Sequence, residues 1–245
     1  MNSGVRPPSC CASRRESRLG EQWPIVILWR MTKFSFLLRA LLATGILSSG
    51  GGIVRAEDSA GSIETIVVIR HGEKPANDLG QLNVQGLNRA LALPDVLAAK
   101  FGKPDFIFAP LPKQRLEHTG ESYSYIRPLM TIEPTAIRLG MPIDARFVFT
   151  NTDRLQRELL KHRYEKSLIF VAWEHHLAEK FAKDLLVSLN ADATVVPEWP
   201  PLDFDSIYVL KISTENGKKT VAFTHDHEGL DGLGTEYPHP QPKGK

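Results

Sequence analysis

Two short runs of this chain set cations and imidazoles side by side. The first is Arg70-His71-Gly72-Glu73-Lys74, closed by Pro75; the second is Glu174-His175-His176. Each follows an apolar stretch, Ile66–Ile69 in one case and Ser167–Trp173 in the other, that reads as a strand buried inside a sheet. In open α/β sheets ligands bind beyond the carboxyl ends of the strands, which is where both runs fall. Arg70 and Lys74 bracket an imidazole, and Gly72 lets backbone come close to whatever is bound. After His176 a helical pattern runs over 177–189, so His175 stands at a helix mouth, where anions are favoured. Together these residues predict a pocket for an anion.

The elements that position them are legible from hydrophobic periodicity. After the first strand, 77–85 reads as a polar connection with a cap near Asn83. Leu87, Ala90, Leu91, Leu93, Val96, Leu97 and Ala98 then form a helical stripe to about Phe101, with Pro94 at a kink or break. Gly102-Lys103-Pro104 stops it. Asp105–Ala109 is a second short strand and completes a β-α-β unit, so the two strands are expected to run parallel. Pro110–Tyr125 reads as a loop. Asp153–Tyr164 reads as an amphipathic helix. Ser206–Ser213 and Thr220–Thr224 read as a hairpin turning at Asn216-Gly217.

The Arg70-His71-Gly72 run resembles the signature of the histidine phosphatase superfamily, and the longer Arg-His-Gly-Glu-Lys-Pro looks closest to its phosphatase members. That superfamily typically places an Arg four residues before a Thr that is closely followed by a Glu-Pro helix start. Arg127, Thr131, Glu133 and Pro134 fit this spacing, with Arg115, four before Thr119, as the rival. His175 looks like the second pocket histidine, although His176 stands where a Gly or Asp is usual.

The resemblance implies a phosphoglycerate-mutase-like fold, an α/β/α three-layer sandwich with a mostly parallel central sheet. It also implies a phosphatase that hydrolyses phosphate monoesters with neither metal nor cofactor. His71 would attack phosphorus through a neutral ring nitrogen and form a phosphohistidine. Arg70, Arg127 and His175 would bind the phosphoryl oxygens. Lys74 is expected as a supporting positive charge. The leaving-group acid is the open role, because His176 occupies its usual place; Glu73 is the first candidate, with Glu174, Asp153 and Asp231 behind it. The rivals are a non-catalytic phosphoryl-binding protein on the same fold and a phosphomutase, the latter disfavoured by the Lys74-Pro75 continuation.

Composition narrows the setting. The chain holds 30 basic and 28 acidic residues, but eight basic and two acidic ones fall in residues 1–56. The remainder, 22 against 26, is net acidic, which argues against a nucleic-acid partner. Met31–Ala56 reads as a signal peptide, with a basic start at Lys33, an apolar run over 34–47 and a cleavage motif at Val54-Arg55-Ala56. Its apolar run is shorter than the ~20 residues a membrane span needs. The expectation is therefore export, to the periplasm or the medium, without a stable anchor. Residues 1–30 read as an over-extended start, 57–237 as the domain, and 238–245 as a disordered tail. Cys10 and Cys11 are the only cysteines and both precede Ala56, so no thiolate or Cys-based zinc site is expected in the domain. His225-Asp226-His227-Glu228 alternates sides if extended and reads as a polar loop rather than a metal cluster. The expected partner is a small phosphorylated molecule, with the oligomeric state left open.

Overall fold

β-branched residues dominate Ser62–Arg70 (β1), and from Ile66 onward every side chain of it is buried. Such a strand can only lie inside a sheet covered on both faces. The computed structural model describes residues 61–113, 115–118 and 121–238, with the side chains of 114–121 outside that description. The signal-peptide region, both cysteines and tail residues 239–245 lie outside it as well.

The other strands are β2 (Phe106–Phe108), β3 (Arg115–His118), β4 (Glu121–Ser124), β5 (Leu168–Trp173), β6 (Ser206–Glu215) and β7 (Lys218–His227). The main sheet runs β2-β5-β1-β6-β7, parallel across the first three and antiparallel across the last three. Among the described residues, four helices cover it: α1 (Val84–Phe101), α2 (Arg127–Leu139), α3 (Thr152–Leu159) and α4 (His175–Ser188). Val67 and Ile69 of β1 pack with Leu93 and Leu97 of α1 and with Ile132 and Ala136 of α2. The alternate residues Ile66 and Val68 pack with Leu155 and Leu159 of α3 and with Phe181 and Leu185 of α4. The period-2 alternation of one strand thus feeds two cores, one on each side of the sheet. Each fully buried aliphatic side chain contributes about 1.5–3 kcal/mol to that burial.

β1 and β2 are parallel as expected, but β5 is inserted between them. That insertion brings the two histidine-bearing strands side by side. α1 runs unbroken through Pro94, capped by Asn83, whose side chain accepts from the Gly86 N–H at 2.8 Å. The expected loop over 110–125 contains the β3–β4 hairpin. α2 begins at Arg127 with Pro128 in its first turn, where a missing N–H is harmless. Pro134 consequently lies inside it rather than at its start. Asn216 (φ 49°) and Gly217 (φ 76°) make the β6–β7 turn with both central residues at positive φ. β7 extends through His227, so the run read as a polar loop is strand, with His225 Nε2 held by the Ser206 hydroxyl at 2.7 Å.

Candidate active site

β1 and β5 end together: Arg70 is level with Trp173, and the His71 N–H donates to the Trp173 carbonyl at 3.1 Å. His71 and the Glu174-His175 pair therefore leave adjacent parallel strands at one edge of the sheet. Thr131 of α2 fastens the loop after β1, its hydroxyl accepting from the Gly72 N–H and donating to the Arg127 carbonyl, each at 2.9 Å. The Arg127–Thr131 spacing thus has a physical use: one helical turn ties Arg127 to the histidine loop. Gly72 was expected to admit a ligand, but the close approach it makes is to α1. A Cβ there would lie 2.9 Å from the Gly86 carbonyl oxygen.

His71 is buried, and its Nδ1 is 2.7 Å from the Gly72 carbonyl oxygen. A carbonyl only accepts, so Nδ1 carries the proton and Nε2 keeps a free lone pair. Burial holds the imidazole pKa well below its usual value. Arg127 and Arg70 push the same way, and the Gly72 bond and Glu174 only partly oppose them. The ring is neutral at pH 7.

Around it lie buried polar atoms with no hydrogen-bond partner: Arg70 Nε, Arg127 Nε, the Tyr125 hydroxyl and His175 Nε2. Arg70 is aimed by its other end, since Nη1 donates to the carbonyls of Pro201 (2.8 Å), Asp203 (2.6 Å) and Pro200 (3.3 Å). Its guanidinium carbon stacks 3.9 Å above the Phe204 ring. Burial lowers its pKa to about 10, leaving it charged at neutral pH. Arg127 is held by Asp78 at 2.7 Å, and Asp78 also meets Lys74 at 3.3 Å. Lys74 therefore supports the site through Asp78, at its exposed rim.

Glu174 is the N-cap of α4, accepting from the Leu177 N–H at 2.9 Å. Its Oε1 also lies 2.5 Å from His175 Nδ1, close enough to orient that ring. Burial pushes this carboxyl up, but His175 and the helix N–H groups pull it further down, to about 2. Glu174 is therefore an acceptor that holds His175 and has no proton to give. His176 is exposed and stacks on His175 at 3.9 Å between ring centroids.

The proton-donor role expected of Glu73 is not supported by its placement. Both its oxygens bond Arg89, at 2.8–3.1 Å, in a cluster completed by Asp205, Glu228 and Asp231. Asp153 pairs with Arg157 on the exposed side of α3. Arg115 lies on β3, and its side chain is outside the described residues. Glu174, His175 and His176 place one potential metal-ligand atom each within 4.8 Å of one another. With Arg70 and Arg127 at the same pocket, however, the charge of the place suits an anion better than a second cation.

Sequence reasoning found both histidines and Arg127, left Tyr125 undecided between walling the pocket and packing, and gave Phe204 and Asp78 no role. Asp78 had a signal, being four residues after Lys74 in a loop otherwise poor in charge. Phe204 and the carbonyls gripping Arg70 had none, because 130 or more residues separate them from it.

No family model matches the chain, and no curated protein does. Among solved structures it is similar to a putative phosphohistidine phosphatase SixA from Agrobacterium tumefaciens, at 14% identity and a TM-score of 0.43, over 66% of this chain and 97% of that one. It is also similar to a phosphoserine phosphatase from Entamoeba histolytica, at 12% identity and a TM-score of 0.43, over 69% and 98% of the two chains. A mycobacterial glucosyl-3-phosphoglycerate phosphatase gives 13% identity and a TM-score of 0.42, over 66% and 95%. What the pocket can do follows from its own side chains.

Proposed function

We propose that this protein is an exported phosphatase of the histidine phosphatase type, hydrolysing phosphate monoesters through a phosphohistidine on His71. The observation that carries the reading is the convergence of the unpartnered Arg70 Nε, Arg127 Nε and His175 Nε2 around a neutral, buried imidazole. Buried polar groups are ordinarily satisfied. Three such residues at one place share one missing acceptor, and a phosphoryl dianion supplies it.

In the first step Nε2 forms a bond to phosphorus as the bond to the leaving oxygen breaks, and that oxygen leaves with the bonding pair and takes its proton from solvent. The resulting imidazolium keeps its Nδ1 proton on the Gly72 carbonyl. In the second step water attacks phosphorus, the N–P bond breaks, and its electron pair returns to Nε2 while the water's proton passes to solvent. The guanidinium groups act chiefly on the charge that spreads over the equatorial oxygens. Neither step needs a metal or cofactor. Export rests on the signal-like segment Met31–Ala56 alone.

The test is hydrolysis of p-nitrophenyl phosphate by the protein lacking residues 1–56, beside a His71→Ala variant. Loss of turnover on the order of 10³–10⁶-fold is expected, as for removal of a nucleophile, with acid-labile phosphate trapped on the wild-type chain only. Because His71 is neutral well below pH 6.5, kcat/KM with this substrate should show no ascending limb from that ring near 6.5. Turnover that survives in the variant excludes the mechanism; phosphate binding without turnover in either protein makes this a phosphoryl-binding protein.

A further inference from the structure

We propose that the Tyr125 hydroxyl is a further phosphoryl ligand of this pocket, donating to a non-bridging oxygen and most strongly in the transition state. The proposal rests on the anion-pocket reading above and names a residue that the superfamily resemblance did not supply.

Tyr125 follows β4 directly and stands two residues before Arg127, so the same turn that starts α2 delivers both. Its ring is fixed on three sides. It meets His71 edge-on at 6.0 Å between centroids, with planes at 84°, and leans on Phe149 at 4.7 Å. The Arg127 guanidinium lies 4.9 Å from its centroid. The residue is 1% exposed, yet its hydroxyl has no hydrogen-bond partner. An aromatic needed only for packing here could be Phe, which would bury no polar atom. The charges acting on the hydroxyl are Arg127, Glu174 and Arg70, which places it among the groups of the pocket. Burial raises its pKa far above neutrality, so it is protonated wherever the enzyme works and can donate without ionising. Its neighbours Arg70 and Arg127 can only donate; even where Arg127 gives an N–H to the phenol oxygen, neither can accept the hydroxyl's own proton. An oxyanion between them can satisfy all three. Because negative charge on those oxygens grows during transfer, the hydroxyl should favour a pentacoordinate vanadate over tetrahedral phosphate.

Tyr125→Phe removes the hydroxyl and keeps the ring. In this variant the melting temperature without ligand should stay the same or rise, since no hydrogen bond is lost. The affinity for inorganic phosphate should fall severalfold, and that for vanadate about tenfold or more. On p-nitrophenyl phosphate, kcat/KM should fall about tenfold. Phosphate and vanadate affinities within twofold of wild type overturn the proposal, as does a lower ligand-free melting temperature with unchanged affinities, which would make the hydroxyl structural. Anion affinity is read without turnover, so this outcome is separable from failure of the His71 mechanism.

Discussion

Two buried arginines approach the loop after β1 and are treated in opposite ways. Arg89 is fully buried and saturated: Glu73 takes Nε and Nη2, Glu228 and Asp205 take Nη1, and Asp231 adds to Nη2. Burial alone would lower its pKa, but Glu73 and Glu228 more than offset that and hold it above the usual value. Arg70, equally buried, has no carboxylate hydrogen bond among the described residues. Carbonyl oxygens orient it without neutralising it, and Nε is left open. A cation surrounded by its own counter-charges holds elements together; a cation aimed by neutral dipoles is kept for an anion from outside.

The largest effect should come from breaking the saturated member. Arg89→Met keeps much of the volume and leaves Glu73, Asp205 and Glu228 facing one another without a cation. Removing one partner of a buried ionic network typically costs about 3–5 kcal/mol, so denaturant unfolding should show a loss of that size. A loss under about 1 kcal/mol would mean that the cluster contributes little and the contrast is empty. The pocket arginines should respond the other way, and Arg127, whose Nε is open although Asp78 binds its Nη1, is the one to test. Arg127→Gln should lower kcat/KM by about 10²–10³-fold, the usual range for losing a donor to transition-state charge. Its stability should fall by clearly less than that of Arg89→Met, because the substitution removes one ion pair, to the partly exposed Asp78, which retains Lys74. Equal losses of stability in the two variants would erase the distinction.

The sequence made one half of this contrast visible and hid the other. Arg70 and His71 were legible because strand and loop are contiguous, and Arg127 because its turn to Thr131 is local. Strand order was not: nothing in Asp105–Ala109 says that β5 will lie between it and β1, since pairing is settled by which faces the helices cover. Glu73 looked available for catalysis because its partner, Arg89, reads in sequence as one polar residue on an amphipathic helix. Only the fold brings Asp205, Glu228 and Asp231, more than 100 residues downstream, to the same guanidinium. The hairpin inside 110–125 was missed because Leu116 is the one aliphatic residue in its two strands, too few for the alternation that marks a strand.

A third buried charge sets a limit on how far unpartnered atoms mark a site. Glu64 lies near the start of β1, roughly 20 Å along the strand from Arg70 at ~3.3 Å per residue. It is 1% exposed, and neither oxygen has a hydrogen-bond partner. The charged groups acting on it are Lys219 and Glu165, and the Lys219 amine is already bound to Glu165 at 3.0 Å and to the Leu160 carbonyl at 3.1 Å. Burial raises the Glu64 pKa to about 8, with Lys219 opposing and Glu165 adding to it. Glu64 is thus a neutral acid at pH 7, isolated at the far end of the sheet, and not one of several donors converging on a space. The folded chain then holds a proton between pH 4.5 and 8 that the unfolded chain has already released. Stability should therefore decline as pH climbs through that window, by at most about 1.4 kcal/mol per pH unit for this one group, and level off above it. Glu64→Gln has the same shape and cannot ionise, so its stability should decline less steeply over the same range. Glu228, raised to about 8 in the Arg89 cluster, contributes a slope of the same sign to both proteins, so the difference between the two curves is the quantity to read. Parallel curves would mean that Glu64 is ionised in the folded chain and that Lys219 serves it as a partner after all.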